Sequence, residues 1–206
     1  MKPDSRKPHP LWVFLLLVNL GVVAFLALRH RPAPFDLPAP SAQAKHRTNL
    51  VLQAGLWLLP GQTNTFTGLL LDTYEDGTRK SLTTVSNGLL HGVSQGWHTN
   101  GQQQVEEHYV AGTSHGLRTK WHPNGQKLSE VNIVDGKLEG TFRRWDEQGA
   151  LTEEIEMKAG QPDGLSRAYY PSGSLKVEAR LQQGRLIESQ QWKDGEKPPP
   201  PANPAG

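Results

Sequence analysis

Leu175, Val177, Ala179 and Leu181 alternate with Lys176, Glu178 and Arg180. A period of two with one apolar and one polar side is the pattern of a half-buried antiparallel strand. The polar side carries an acid at the same place further up the chain, at Glu106, Glu130 and Glu154, each 24 residues from the next. Whole phrases recur at that interval. HGVSQGWHTNGQ, from His91, returns as HGLRTKWHPNGQ, from His115. In rows of 24 the glycines fall into three columns. The first is Gly68, Gly92, Gly116, Gly140 and Gly164; the second is Gly77, Gly101, Gly125, Gly149 and Gly173; the third is Gly88, Gly112, Gly136, Gly160 and Gly184. Asp-Gly, Asn-Gly and Ser-Gly in the second column readily take φ > 0, as tight hairpin turns require. Each row is therefore predicted to be one β-hairpin. The fold class is an all-β repeat: a single elongated, twisted antiparallel meander of hairpins with a 24-residue period.

Five full rows predict ten strands, with equivalent residues of successive rows about 9.6 Å apart. A sixth row starts at Glu188 and runs one residue short. The preceding stretch, NLVLQAGLWLLPGQTNTFTG, is expected to add two or three strands at one end. The sheet's terminal edges need protection, for which the upstream strands and the proline-rich tail are the candidates.

The hydropathy pattern is quite different at the N-terminus. Leu11 to Leu28 is free of charge and apolar all round, long enough for about 27 Å of helix. Trp12 and basic residues flank it, so one transmembrane helix is predicted ahead of the repeats. No small-x-small cleavage site follows within a few residues of Leu28, and Ala42–Ala44 lies too far downstream, so an uncleaved signal anchor is expected. The predicted layout is a basic segment (1–10), the anchor (11–28), a proline-rich linker (29–49), the repeat domain (50–197) and a proline-rich tail (198–206). The positive-inside count does not fix orientation. A first span close to the N-terminus favours single-pass insertion with the repeats outside the cytoplasm.

Charge sharpens this picture. Residues 1–61 carry seven Lys/Arg against two Asp/Glu, whereas 62–206 carry fifteen against eighteen. The basic excess thus belongs to the membrane-flanking part. The acidic repeat body, with no basic stripe, argues against nucleic acid and against binding of anionic lipid by the repeats. The chain has no cysteine, so disulfides and thiolate metal sites are excluded.

Three patterns bear on chemistry. Gly92-Val93-Ser94-Gln95-Gly96 matches G-x-S-x-G, but a nucleophile elbow needs a strand-to-helix turn, and here Gly92 is a repeat glycine with no helix following. Histidines pair by column, His91 with His115 and His98 with His122, too far apart to share one metal ion; a mixed set with His108 has no evident third ligand. No catalytic residue, cofactor, metal or small-molecule substrate is expected. The third pattern is the aromatic column Trp97, Trp121, Trp145 and Tyr169, nearly continued by Trp192. Large rings fill a thin core well, and a stripe left partly open would receive an apolar or extended partner. These five residues are the candidate binding site, the terminal Trp192 being expected to be more exposed than the mid-array Trp121.

The phrases GWHTNGQ, KWHPNGQ, YVAGTSHG, VDGKLEG and FTGLLLDTYEDG resemble the MORN repeat, in the bacterial variant form of YwqK-like proteins. The resemblance covers about residues 50 to 195. It implies a scaffold or membrane-associated binding module. The residues themselves leave two functions open, a membrane-tethered module that presents the sheet to a protein or polymer and, as the alternative, assembly through the sheet edges. Some YwqK-like chains are labelled antitoxins. The anchor and linker lie outside the family pattern.

Overall fold

The computed structural model describes residues 44–198. The run Leu11–Leu28, most of the linker and the end of the tail lie outside them. No helix among the described residues is long and apolar enough to cross a membrane.

The strands in chain order are β1 (Ala44–His46), β2 (Val51–Gln53), β3 (Leu56–Leu58), β4 (Gly68–Thr73), β5 (Arg79–Ser86), β6 (Leu89–Trp97), β7 (Gln103–Val110), β8 (Thr113–Ser114), β9 (Gly116–Trp121), β10 (Lys127–Val134), β11 (Lys137–Trp145), β12 (Leu151–Lys158), β13 (Gln161–Tyr169), β14 (Leu175–Gln182) and β15 (Arg185–Gln191). From β4 to β15 each strand pairs antiparallel with its neighbour in sequence, β8 and β9 being two parts of one interrupted strand. The predicted meander is therefore present, as part of a 13-stranded sheet.

The upstream residues behave differently from a simple extension. β1, inside the stretch read as linker, joins β4 in parallel. β2 and β3 form a separate two-stranded hairpin. Between them these segments bring Leu50, Trp57, Leu59 and Phe66 against Leu70, Val85 and Leu90. An end of a one-layer sheet has no further row to pack on, so a second small layer closes it.

Each glycine column does a different job. The third column forms the two-residue turns: Ala111 and Gly112 have φ of +46° and +85°, and Asp135 and Gly136 +49° and +78°. Two consecutive positive φ values define a type I′ turn, whose twist suits a hairpin. The second column, where sequence placed the tight turns, makes a wider loop. Gly101 N–H donates to His98 O and His98 N–H to Gln102 O, and only Gly101 of that loop has positive φ. The first column lies inside strands. Ile155 pairs with Ser166 and Met157 with Pro162, so β13 holds more residues than β12 over this stretch. The excess bulges at Gly164, φ +125°. The short sixth row lacks this glycine and has a smaller bulge: Leu181 pairs with Leu186 and Arg180 with Glu188, leaving Ile187 unpaired.

The two faces follow from the register. One carries Glu130, Arg143, Glu154, Arg167 and Glu178, each directly opposite the next. Arg143 and Glu154 are 2.8 Å apart, and Arg167 and Glu178 2.7 Å. Alternating charges opposite one another stabilise this face without an apolar layer. The other face carries Val131, Ile133, Phe142, Ile155 and Met157; Ile133 is 1% exposed.

Candidate functional site: the aromatic stripe

The repeated phrase W-H-x-N-G-Q works as a device for stacking one row on the next. His98 Nε2 lies 2.9 Å from Trp121 O, and His122 Nε2 3.0 Å from Trp145 O. Tyr74 donates its hydroxyl to Trp97 O at 2.7 Å, and Tyr170 donates to Trp192 O at 3.0 Å, in the same column. Asn100 accepts from Gln102 N–H in its own turn and donates through Nδ2 to Pro123 O of the next; Asn124 does the same with Gln126 and Glu147. The side chain of Gln102 lies against Gly125, 3.2 Å from where a Cβ would stand.

The opposite edge has its own ties. Gly112 N–H donates to Leu90 O, Gly136 to Ser114 O and Gly160 to Leu138 O. His91 Nδ1 accepts from Ala111 N–H and His115 Nδ1 from Asp135 N–H, while Glu139 accepts from Ala159 N–H in the same place. Four of the histidines singled out by sequence thus serve row stacking. Among the described residues no group of three or more His, Asp or Glu could hold a metal ion. Ser94 lies within β6, its Oγ 2.8 Å from Thr83 Oγ1, and a turn rather than a helix follows that strand.

Trp97, Trp121, Trp145 and Tyr169 end β6, β9, β11 and β13, one per row, and each is half-buried. All four share the face of the charge ladder. Arg79 lies over Trp97, 5.0 Å from the ring centroid, and Lys127 over Trp145 at 5.2 Å. The cation comes from the preceding row in each case, so the rings are also part of the stacking. Tyr169 donates to Glu154 Oε2 at 2.8 Å. Burial, then this bond to a carboxylate, pushes its hydroxyl up to about 12. Arg143 and Tyr169 hold Glu154 below the usual carboxylate range.

Trp192 is a correction. Expected to be more exposed than Trp121, it is buried, at 7%. Its N–H donates to Lys176 O and its carbonyl is held by Tyr170. The turn that follows is tied back through Ser172 to Asp194 and through Gly195 N–H to Ser174 Oγ. This turn belongs to the short sixth row and is tied to the row before it, as the earlier turns are. The half-buried part of the stripe is therefore Trp97, Trp121, Trp145 and Tyr169.

One cluster escaped the sequence reading. Glu107, its side chain 14% exposed, accepts from Ser114 Oγ at 2.6 Å, from Arg118 Nε at 2.9 Å and from Tyr109 at 3.1 Å, and Arg118 Nη2 also reaches it. Burial pushes the carboxyl up, but the bonds from Ser114 and Arg118 and the Arg118 charge outweigh it, so the net shift is downward. The signal was present in the columns. Glu107 stands among Thr83, Val131, Ile155 and Ala179, and Arg118 among Leu70, Ser94, Phe142 and Ser166.

The fold and stripe together define a repeat class, a sheet of stacked hairpins tied row to row. Residues 114–135 and 162–182 match the family model described as MORN repeat variant. MORN repeats commonly mediate protein or membrane interactions. No curated protein matches the chain. Among solved structures, a substituted Staphylococcus aureus TarM in complex with fondaparinux, α-GlcNAc-glycerol and UDP is similar at 11% identity and a TM-score of 0.32, over 47% of this chain and 19% of that one. A second structure titled TarM gives 11% and 0.31 over the same shares. The matched part thus spans about a fifth of TarM, and a TM-score of this size does not establish a shared fold.

Proposed function

We propose that the chain is a membrane-tethered, non-catalytic MORN-type module that holds an extended protein or polymer partner along Trp97, Trp121, Trp145 and Tyr169. The supporting observation is the stripe itself: four aromatic rings at one register, half-buried, on a face whose charges from Glu130 to Glu178 are matched to one another. Such rings offer apolar contact area without a desolvation cost from unpaired ions. Trp121→Ala is expected to cost about 2 kcal/mol, less than the ~3–5 kcal/mol of a fully buried ring. The sheet should stay folded while crosslinking capture of the partner from native membranes is lost. Undiminished capture by a folded Trp121→Ala chain would remove the stripe as the binding surface.

The tether reading rests on the charge-free run Leu11–Leu28 with its basic flanks. A reporter active only in the cytoplasm, fused after Gly206, should be silent; strong activity would place the repeats inside. An antitoxin role, which the YwqK-like resemblance raises, would require this surface to hold a toxin. A second reading is assembly through a sheet edge. It is favoured by Leu186 and Ile187 of β15, which are 62% and 56% exposed.

A further inference from the structure

The two ends of the 13-stranded sheet differ. At one, β1 pairs over three residues only, and the hairpin of β2 and β3 packs beside it with the core of Leu50 and Phe66. At the other, β15 runs seven residues, all exposed, and no described strand pairs with its outer side. A strand of this length with open N–H and C=O groups is a template for another strand.

The bulge of the short sixth row gives this edge a self-complementary order. Gln182 pairs with Arg185 and Arg180 with Glu188, so Arg185 and Glu188 lie on the same face although three residues apart. Without the bulge, three residues would place them on opposite faces. Laid antiparallel against itself about a two-fold axis between Leu186 and Ile187, β15 brings Arg185 opposite Glu188 of the other copy, twice. The same register sets Leu186 against Ile187, twice. Arg185 makes no ion pair among the described residues, whereas Glu188 is held by Arg180 at 3.0 Å. The incoming Arg185 would therefore meet a carboxylate already fixed in place.

We propose that β15 is the interface of a two-fold dimer of this chain, in the register that pairs Arg185 with Glu188 and Leu186 with Ile187. With one long open edge among the described strands, the pairing closes on itself and gives dimers, not filaments. The proposal rests on the edge-assembly reading above.

The test is sedimentation of the full chain in neutral detergent over a range of concentrations. Wild type is expected to form a concentration-dependent dimer. Arg185→Glu, which sets like charges opposite each other, should raise the dissociation constant by about tenfold or more, and Arg185→Lys should restore pairing. Leu186→Lys should also dissociate the dimer, and none of the three should change the far-UV circular dichroism. The chain has no cysteine, so Leu186→Cys with Ile187→Cys should give a covalent dimer on oxidation. A monomer at every concentration would overturn both this interface and the edge-assembly reading. A dimer indifferent to Arg185→Glu and uncrosslinked by the cysteine pair would overturn this register while leaving assembly by another surface in place. Species larger than dimers would overturn the closed pairing.

Discussion

Glu107→Ala is expected to lower the free energy of unfolding by about 2 kcal/mol at neutral pH, because it leaves Arg118 charged and without its partner in a part-buried place. Ser114 and Tyr109 lose their acceptor at the same time. The neighbouring rows show what this position otherwise holds: Val131 and Ile155 in place of Glu107, Phe142 in place of Arg118. The double variant Glu107→Val with Arg118→Phe should therefore recover most of the loss, since an apolar pair of suitable shape can replace a buried ion pair at little cost. The effect has a pH sign. The folded carboxyl titrates below its ordinary 4.5, so its contribution is present above that value and is lost as pH falls through the lowered folded pKa. Urea denaturation at neutral and acidic pH checks both points. A gap between wild type and Glu107→Ala that widens in acid would contradict the ionic account, as would a double variant no better than the single one.

The second large effect concerns the strand glycines. Gly164→Ala is expected to destabilise by about 3 kcal/mol, and Gly140→Ala by only about 1 kcal/mol. Both have positive φ, which an L side chain tolerates poorly. Only at Gly164 is there also no room. An added Cβ there would stand 1.9 Å from Glu156 Oε2 and 2.9 Å from Glu156 Cβ, whereas at Gly140 it would meet nothing. Glu156 can make room only by giving up the bond its carboxylate accepts from Leu165 N–H beside the bulge. Equal melting temperatures for the two alanine variants would show that Glu156 yields freely.

These two glycines also mark how far the sequence could be read. Period-two alternation and the 24-residue columns fixed the hairpins, since both are local patterns. What each glycine does depends on how many residues its partner strand spends over the same distance, and that is a property of two strands together. The tight turns were thus placed at Asn100-Gly101, where Asn-Gly invites them, while the type I′ turns fall on pairs such as Ala111-Gly112. Alanine is a poor turn former; the turn is held by Gly112 N–H reaching the previous row, a contact invisible to composition. The aromatic stripe was legible because it recurs. The burial of Trp192 was not, because its row is one residue short and its ties to Lys176 and Tyr170 appear only in the folded chain. Glu107 and Arg118 were visible as two breaks in two columns, but only pairing across β7 and β9 shows them to be one feature.

The ties formed by His98, Asn100, Gly112 and their equivalents each reach about one row and no further. Nothing in the body of the sheet needs to know how many rows there are. Removing or adding a whole 24-residue row inside it should therefore be tolerated, while a loss of a few residues would set every later tie out of step. The length of such a protein can change by whole steps, and its two ends are where unfolding should begin, each row gaining its support from the rows on either side.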